Sequence, residues 1–207
     1  MLIQGLGRNW AWPREDRECL QVIFSSLPDA LAAAKLCKRR RTVVQAGGNC
    51  GVWPWALAHC FESVVTFEPD SMCFGLLQEN LHGTLNIEAH NQALWDTPGT
   101  CGMYIEPHNR GAQWVLPDEG GIPCTTIDSL RIGDCDMIYL DIEGAELKAL
   151  RGAAETIAHS RPVIAVEDKG HSLRYGSQPG DIERWLIAEF GYKVVARPHR
   201  DVVLTCE

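Results

Sequence analysis

Val43-Val44-Gln45-Ala46-Gly47-Gly48-Asn49-Cys50-Gly51 is the stretch that decides the fold. A run rich in β-branched residues enters a glycine-rich turn, and the spacing predicts a helix over Val52–Cys60 directly after it. Pro54 falls in the first turn of that helix, where its missing N–H is not needed. Glycines in such a turn let the backbone bend sharply and approach a ligand closely. The helix start offers free N–H groups to an anionic group. Glycine turns join many strands to helices, so the motif alone leaves a plain connection open.

The next strand, Ser63–Phe67, ends in Glu68, which falls 20 residues after Gly48. At that offset an acid accepts hydrogen bonds from the ribose hydroxyls of a nucleoside cofactor. The glycines stand at 47, 48 and 51, so G-x-G-x-x-G is absent and a dinucleotide fits poorly. A nucleoside cofactor without a pyrophosphate fits better.

Outward from there, short β-rich runs alternate with helical runs, which predicts a parallel sheet with helices on its faces. Helices are expected at Ser71–Leu81, Ala145–Ala158 and from Asp181 to Gly191. Strands are expected at Asn86–Ala89, Asp136–Leu140 and Pro162–Glu167, with a closing antiparallel pair at Tyr192–Ala196 and Val202–Cys206. Asp96–Pro123 is rich in Gly and Pro and reads as irregular hairpins. Residues 1–41 read as a mainly helical segment or lid, with Ser26 as N-cap ahead of Pro28, and residues 42–207 as the main domain. Lys38-Arg39-Arg40-Arg41 reads as a phosphate patch or as a cationic helix end that complements the dipole, and the second reading is preferred.

Two further strand ends carry polar groups. Asp141, Glu143 and Glu146 follow Leu140, and Asp141 would project from the carboxyl edge of the sheet, where doubly wound folds bind ligands. The competing role for Asp141 is the N-cap of the next helix. Glu146 reads as a first-turn acid favoured by the helix dipole. Glu167, Asp168, Lys169 and His171 follow Val166 and would face a substrate, or form a solvated loop. Trp53 and Trp55 read as packing residues, while Trp10 and Trp12 suit a lid or a dimer contact.

Composition bounds the partners. The chain has 207 residues with 45% hydrophobic and 22% charged, which suits a single globular domain. Its net charge of −8 disfavours general nucleic-acid binding. Thr42–Phe61 lacks charged side chains, yet Gln45, Asn49, Pro54 and His59 make a membrane span a poor reading. Nine scattered cysteines without a C-x-x-C pair read as buried thiols of a reducing cytoplasm.

Taken together, the motifs resemble the FkbM family of S-adenosylmethionine-dependent methyltransferases. The resemblance spans about Thr42–Ala196 and rests on Gln45–Gly51, Phe67-Glu68-Pro69, Asn80, Thr126–Leu130, Leu140–Glu146 and Phe190-Gly191-Tyr192 in that order. It implies a doubly wound, Rossmann-like sheet of seven mostly parallel strands with helices on both faces, and O-methyl transfer. It also implies that Gly47, Asn49 and Gly51 surround the methionine part of the cofactor, that Glu68 beside Pro69 holds the ribose, that Gln92 and Ala93 flank the adenine, and that Asp141 lies near the sulfonium. The family has an acid where this chain has Gln45, whose amide can still accept a hydrogen bond from the cofactor's amino group but carries no charge.

The expected chemistry is methyl transfer to a hydroxyl of a small molecule or carbohydrate. Asp141, Glu143, Glu167 and His171 are the candidates to position the acceptor and take its proton. A Mg²⁺-assisted version would use Asp141 with Glu167 or Asp168 and is less favoured; no dedicated metal site is expected. The alternatives are a ribose methyltransferase acting on nucleic acid, since Asp141 with Lys169 resembles part of a Lys-Asp-Lys-Glu set, and a non-catalytic module that keeps the fold.

Overall fold

A computed structural model describes residues 1–16, 18–117 and 119–206. Strands β1 (Leu2–Gly5) and β2 (Arg8–Ala11) form an antiparallel hairpin, followed by helix α1 (Cys19–Ala34). The motif region then supplies β3 (Thr42–Ala46), α2 (Val52–Ala58), β4 (Ser63–Phe67), α3 (Ser71–Asn80) and β5 (Ile87–His90). Four short strands follow: β6 (Ala93–Leu94), β7 (Gly99–Tyr104), β8 (Trp114–Pro117) and β9 (Ile122–Thr125). The chain closes with β10 (Cys135–Leu140), α4 (Glu146–Arg151), α5 (Ala154–Ser160), β11 (Val163–Glu167), α6 (Asp181–Phe190), β12 (Lys193–Ala196) and β13 (Asp201–Thr205).

The central sheet has seven strands in the order β12-β13-β11-β10-β3-β4-β5. β13 runs antiparallel to both its neighbours, and the other pairings are parallel. The doubly wound, mostly parallel sheet expected from the sequence is therefore present. Its inner strands are apolar on both faces because helices cover both. Val43, Val64 and Tyr139 pack under α1 and α2 with Trp53 of α2, while Val44, Ile138, Leu140 and Ile164 pack with Leu150, Ile157 and Leu186 on the other side. The strand order reverses between β3 and β10, and their carboxyl ends define the crevice where such sheets bind ligands.

Several local expectations are corrected. α1 begins at Cys19, not near Ser26, and carries Pro28 in its interior. Asp16 covers its first turn instead, with Oδ1 accepting from the Cys19 N–H at 3.1 Å. Ser26 bonds backwards, donating to the Val22 carbonyl at 2.8 Å, which is a mid-helix use of serine. The first 41 residues also contain the β1–β2 hairpin, which the helical reading missed. Trp10 and Trp12 are fully buried. The helix expected over Ala145–Ala158 is broken at Gly152-Ala153, because the Gly152 carbonyl turns aside to accept from Asp128 N at 2.9 Å. Asp96–Pro123 is more regular than expected: with β6 it forms a second sheet, order β6-β9-β7-β8.

The basic run is used locally. Arg40 Nε donates to the Ala34 carbonyl at 3.2 Å, capping the end of α1. Arg41 grips Asp136 through Nε at 3.0 Å and Nη2 at 2.7 Å, and also meets Asp134. All nine cysteines are free thiols. No helix among the described residues is long and apolar enough to cross a membrane.

Candidate active site

One cavity of about 760 Å³ opens at the switch point, within the size range of small-molecule sites. Its wall beneath the glycine turn includes Gly47, Asn49, Glu68 and Pro69, and β6 adds Ala93 with Gln92 before it. Across from these stand Asp141, Glu143, Glu167 and His171. The structure thus brings most of the sequence-predicted site residues to one space.

The glycine turn is shaped by close packing. Gly47 has φ of +82° and carries no Cβ because the Asp141 carbonyl oxygen occupies that volume. Asp141 N in turn donates to the Ala46 carbonyl at 3.1 Å, so the ends of β3 and β10 are locked together. Asp141 does not cap α4, whose N-cap is Ala145. Glu146 instead folds back and accepts from Ile142 N at 2.9 Å and Gly144 N at 3.3 Å, holding the loop that presents Asp141. Burial raises the Glu146 carboxyl to about 8.

Glu68 is buried and rigid. Its Oε2 accepts from Asn49 N at 2.7 Å and its Oε1 from Asp70 N at 2.8 Å. Burial pushes its pKa up to about 7, against the pull of those two N–H groups. Each oxygen keeps a second lone pair for a donor from the cavity.

Two assigned residues lie elsewhere. Gln45 is fully buried beneath the turn, outside the cavity wall, and its Oε1 accepts from the Thr66 hydroxyl. Period-two alternation explains this: Ala46 points to the crevice side of the strand end while Gln45 points into the α1–α2 core. An amide carries no charge to desolvate there, although its Nε2 has no partner among the described residues. Gly51 does not line the cavity either; it stands at the N-cap of α2 with φ of +94°. Trp53 is buried in the core, as expected, and also reaches the cavity, tilted against Tyr139 at 5.1 Å between ring centres.

The polar cluster has Lys169 at its centre. Lys169 Nζ lies 2.7 Å from Glu167 Oε2 and 3.1 Å from Glu143 Oε1. His171 Nδ1 sits against Glu143 Oε2. Burial and the Glu143 charge raise the Asp141 carboxyl, which shares a hydrogen bond with Glu167. Burial and Asp141 push Glu167 to about 9, so at neutral pH it holds a proton. Burial lowers the imidazole of His171, helped by the Lys169 and Arg174 charges and opposed by Glu143. His171 is therefore neutral at pH 7, and Glu143 favours the proton on Nδ1, leaving Nε2 with a lone pair.

Ligand atoms of Glu143, Glu167 and His171 lie within 4.8 Å of one another, yet the Lys169 ammonium already sits between Glu143 and Glu167. Asp168 is turned away from the cavity and accepts from Gly180 N at 2.8 Å, so it does not serve the expected oxygen set.

Sequence reasoning missed Arg110, Gln113 and Asp201. The first two sit on a loop that only the second sheet carries over the glycine turn, and no local motif marks them. Asp201, at the start of the antiparallel β13, is raised to about 7 by burial and by the Asp141 and Asp29 charges.

Comparison with known proteins now bears on this geometry. A model of the methyltransferase FkbM domain matches residues 45–194. The chain belongs to the FkbM methyltransferase domain family. Among solved structures, this FkbM-family chain is similar to the methyltransferase FkbM of Methylobacillus flagellatus, at 21% identity and a TM-score of 0.59 over 80% of this chain and 43% of that one. It thus spans less than half of that relative's length. It is similar to precorrin-6y C5,15-methyltransferase of Geobacter metallireducens, at 12% identity, TM-score 0.52, covering 87% and 85% of the two chains. A Streptococcus mutans protein solved in complex with SAH matches at 10% identity and TM-score 0.52, over 86% of this chain and 97% of that one. These likenesses establish the class I methyltransferase fold. No curated protein matches.

Proposed function

We propose that this FkbM-family chain is an S-adenosylmethionine-dependent O-methyltransferase acting on a hydroxyl of a small molecule or carbohydrate. The observation that carries this reading is one cavity lined both by the glycine turn and Glu68 and by Asp141, Glu143, Glu167 and His171. The residues present suit the cofactor: a carboxylate with free lone pairs is placed for ribose hydroxyls, and Gln92 and Ala93 line the same cavity where adenine would lie.

When bound, the cofactor supplies an activated methyl group on its sulfonium. The protein's work is alignment, exclusion of water and removal of the acceptor's proton. His171 Nε2 is the base, because it is unprotonated at neutral pH and Glu143 stabilises the imidazolium that forms. Asp141 positions the acceptor oxygen. Protonated Glu167 and the Lys169 cation keep this acidic cluster near neutrality, so an approaching hydroxyl does not meet a concentrated negative field. α1 supplies Ser25, Ser26 and Asp29 to the cavity wall, which fits a lid over the acceptor, its hydroxyl and carboxylate groups suiting a polyhydroxylated compound.

A nucleic-acid acceptor is less well supported. Arg40 and Arg41 are engaged in helix capping and ion pairs, and Lys169 is held by Glu143 and Glu167. Calorimetry with S-adenosylmethionine and S-adenosylhomocysteine tests the cofactor reading, and transfer of labelled methyl to hydroxylated acceptors tests the reaction. Absence of binding heat for both compounds overturns the proposal. Label incorporated only into RNA, with steep salt dependence, replaces the acceptor class.

A further inference from the structure

We infer that Arg110 receives the carboxylate at the amino-acid end of the bound S-adenosyl compound, an assignment that rests on the cofactor reading above. Arg110 lies on the loop between β7 and β8, and it is tied to the glycine turn: Asn49 Nδ2 donates to its carbonyl at 3.3 Å. Its own N–H donates to Asp16 Oδ2 at 3.1 Å, and Asp16 is fully buried. Its Nη1 donates to Asp70 Oδ2 and to Gln113 Oε1, both at 3.2 Å. The side chain is 10% exposed and lines the cavity.

Its Nε is buried and has no acceptor among the described residues. A buried guanidinium donor left unpaired costs free energy, and native structures rarely keep one without a use. Among the groups beside the glycine turn, none supplies that acceptor, so a ligand does.

Charge points to the ligand atom. Glu68, Asp141, Glu143, Glu167 and Asp201 all line the same cavity, which disfavours a carboxylate unless a cation stands beside it. Lys169 is held by Glu143 and Glu167 beyond β10. Arg110 is the cation beside Asn49, where the methionine part lies in the cofactor reading. Its planar fork is already fixed at one edge by Asp70, which leaves the Nε edge for an oxygen anion.

Paired ligands test this. S-adenosylhomocysteine and its decarboxylated analogue, which keeps the amino group, are titrated calorimetrically into wild type, Arg110→Met and Arg110→Lys. The wild type is expected to prefer the carboxylated ligand by about 10- to 100-fold, the range for a charge-assisted hydrogen bond. Arg110→Met should abolish that preference while leaving the decarboxylated analogue within about threefold, by the near-additivity of independent effects. Arg110→Lys keeps a cation beside Asp70 and so protects the fold, but lacks the Nε donor; it should lose most of the preference. Equal weakening of both ligands in Arg110→Met, or full preference retained in Arg110→Lys, overturns the assignment. If the wild type binds both ligands equally, the carboxylate is not read here and the assignment fails while the cofactor reading stands. If the wild type binds neither, both fail together.

Discussion

Gly47 and Asp141 share one volume: the Asp141 carbonyl oxygen stands where a Cβ on Gly47 would be. This contact joins the glycine turn after β3 to the acidic loop after β10, so these two parts of the cavity wall are built as one unit.

Gly47→Ala should therefore destabilise the protein twice over, through its φ of +82° and through the clash. The expected loss is about 2–4 kcal/mol, read as a drop of about 5–15 °C in Tm for a domain of this size. Gly83→Ala is the control: Gly83 also has positive φ, +87°, but a Cβ there meets open space. Equal losses in the two variants would show that the Asp141 contact contributes nothing.

His171→Asn should lower kcat by about 100-fold or more, the range for a general base, with S-adenosylhomocysteine affinity unchanged. Asp141→Asn should also reduce turnover far more than cofactor affinity. Turnover equal to wild type in either variant removes that residue from the proposed chemistry.

Gly144 lets the backbone of His171 approach, since a Cβ at Gly144 would collide with the His171 carbonyl. Gly144→Ala should displace His171 from Glu143 and mimic His171→Asn in kcat. Its crystal structure would show the shift directly, and an unmoved imidazole with normal turnover would contradict it.

The pH profile has a definite sign. His171 titrates below the ordinary imidazole value of 6.5 in the ligand-free protein, so kcat/KM should rise with pH through an inflection below 6.5 and fall again towards 9 as Glu167 loses its proton. Glu143 raises that pKa, so Glu143→Gln should move the inflection to still lower pH. An inflection moving upward would mean that another group is the base.

Stability should show the opposite slope. Glu167 and Glu146 titrate near 9 and 8 in the folded protein against 4.5 for an ordinary glutamate. The folded state therefore holds protons that the unfolded state releases, and stability falls as pH rises from about 4.5 towards 9. The ligand-free Tm should decline over that window, and Glu167→Gln should flatten the decline. A Tm that climbs from pH 5 to 9 would contradict the buried, protonated state of Glu167.

How much was legible in the sequence follows from which interactions are local. Ser63–Phe67 is a strand with the expected bounds, because an apolar β-branched run between a helix and Glu68-Pro69 has no competing reading. The α1 start was misplaced because Ser26-Leu27-Pro28 has the composition of a helix entry, while the real first turn is covered by Asp16 and buried against the rest of the protein. The offset of Glu68 from the glycines points to its place on the cavity wall. Gln45 lies away from that wall, because a motif position does not say which way a side chain turns at a strand end.

By itself, the sequence determined the alternation of strands and helices, the glycine turn and the acidic strand ends, since periodicity and turn chemistry are carried by neighbouring residues. Only the tertiary structure decided that Gln45 belongs to the core, that Lys169 pairs with Glu143, and that Arg110 reaches the glycine turn. Those outcomes depend on burial and on contacts between segments more than 20 residues apart in the chain, whose energies no local pattern encodes.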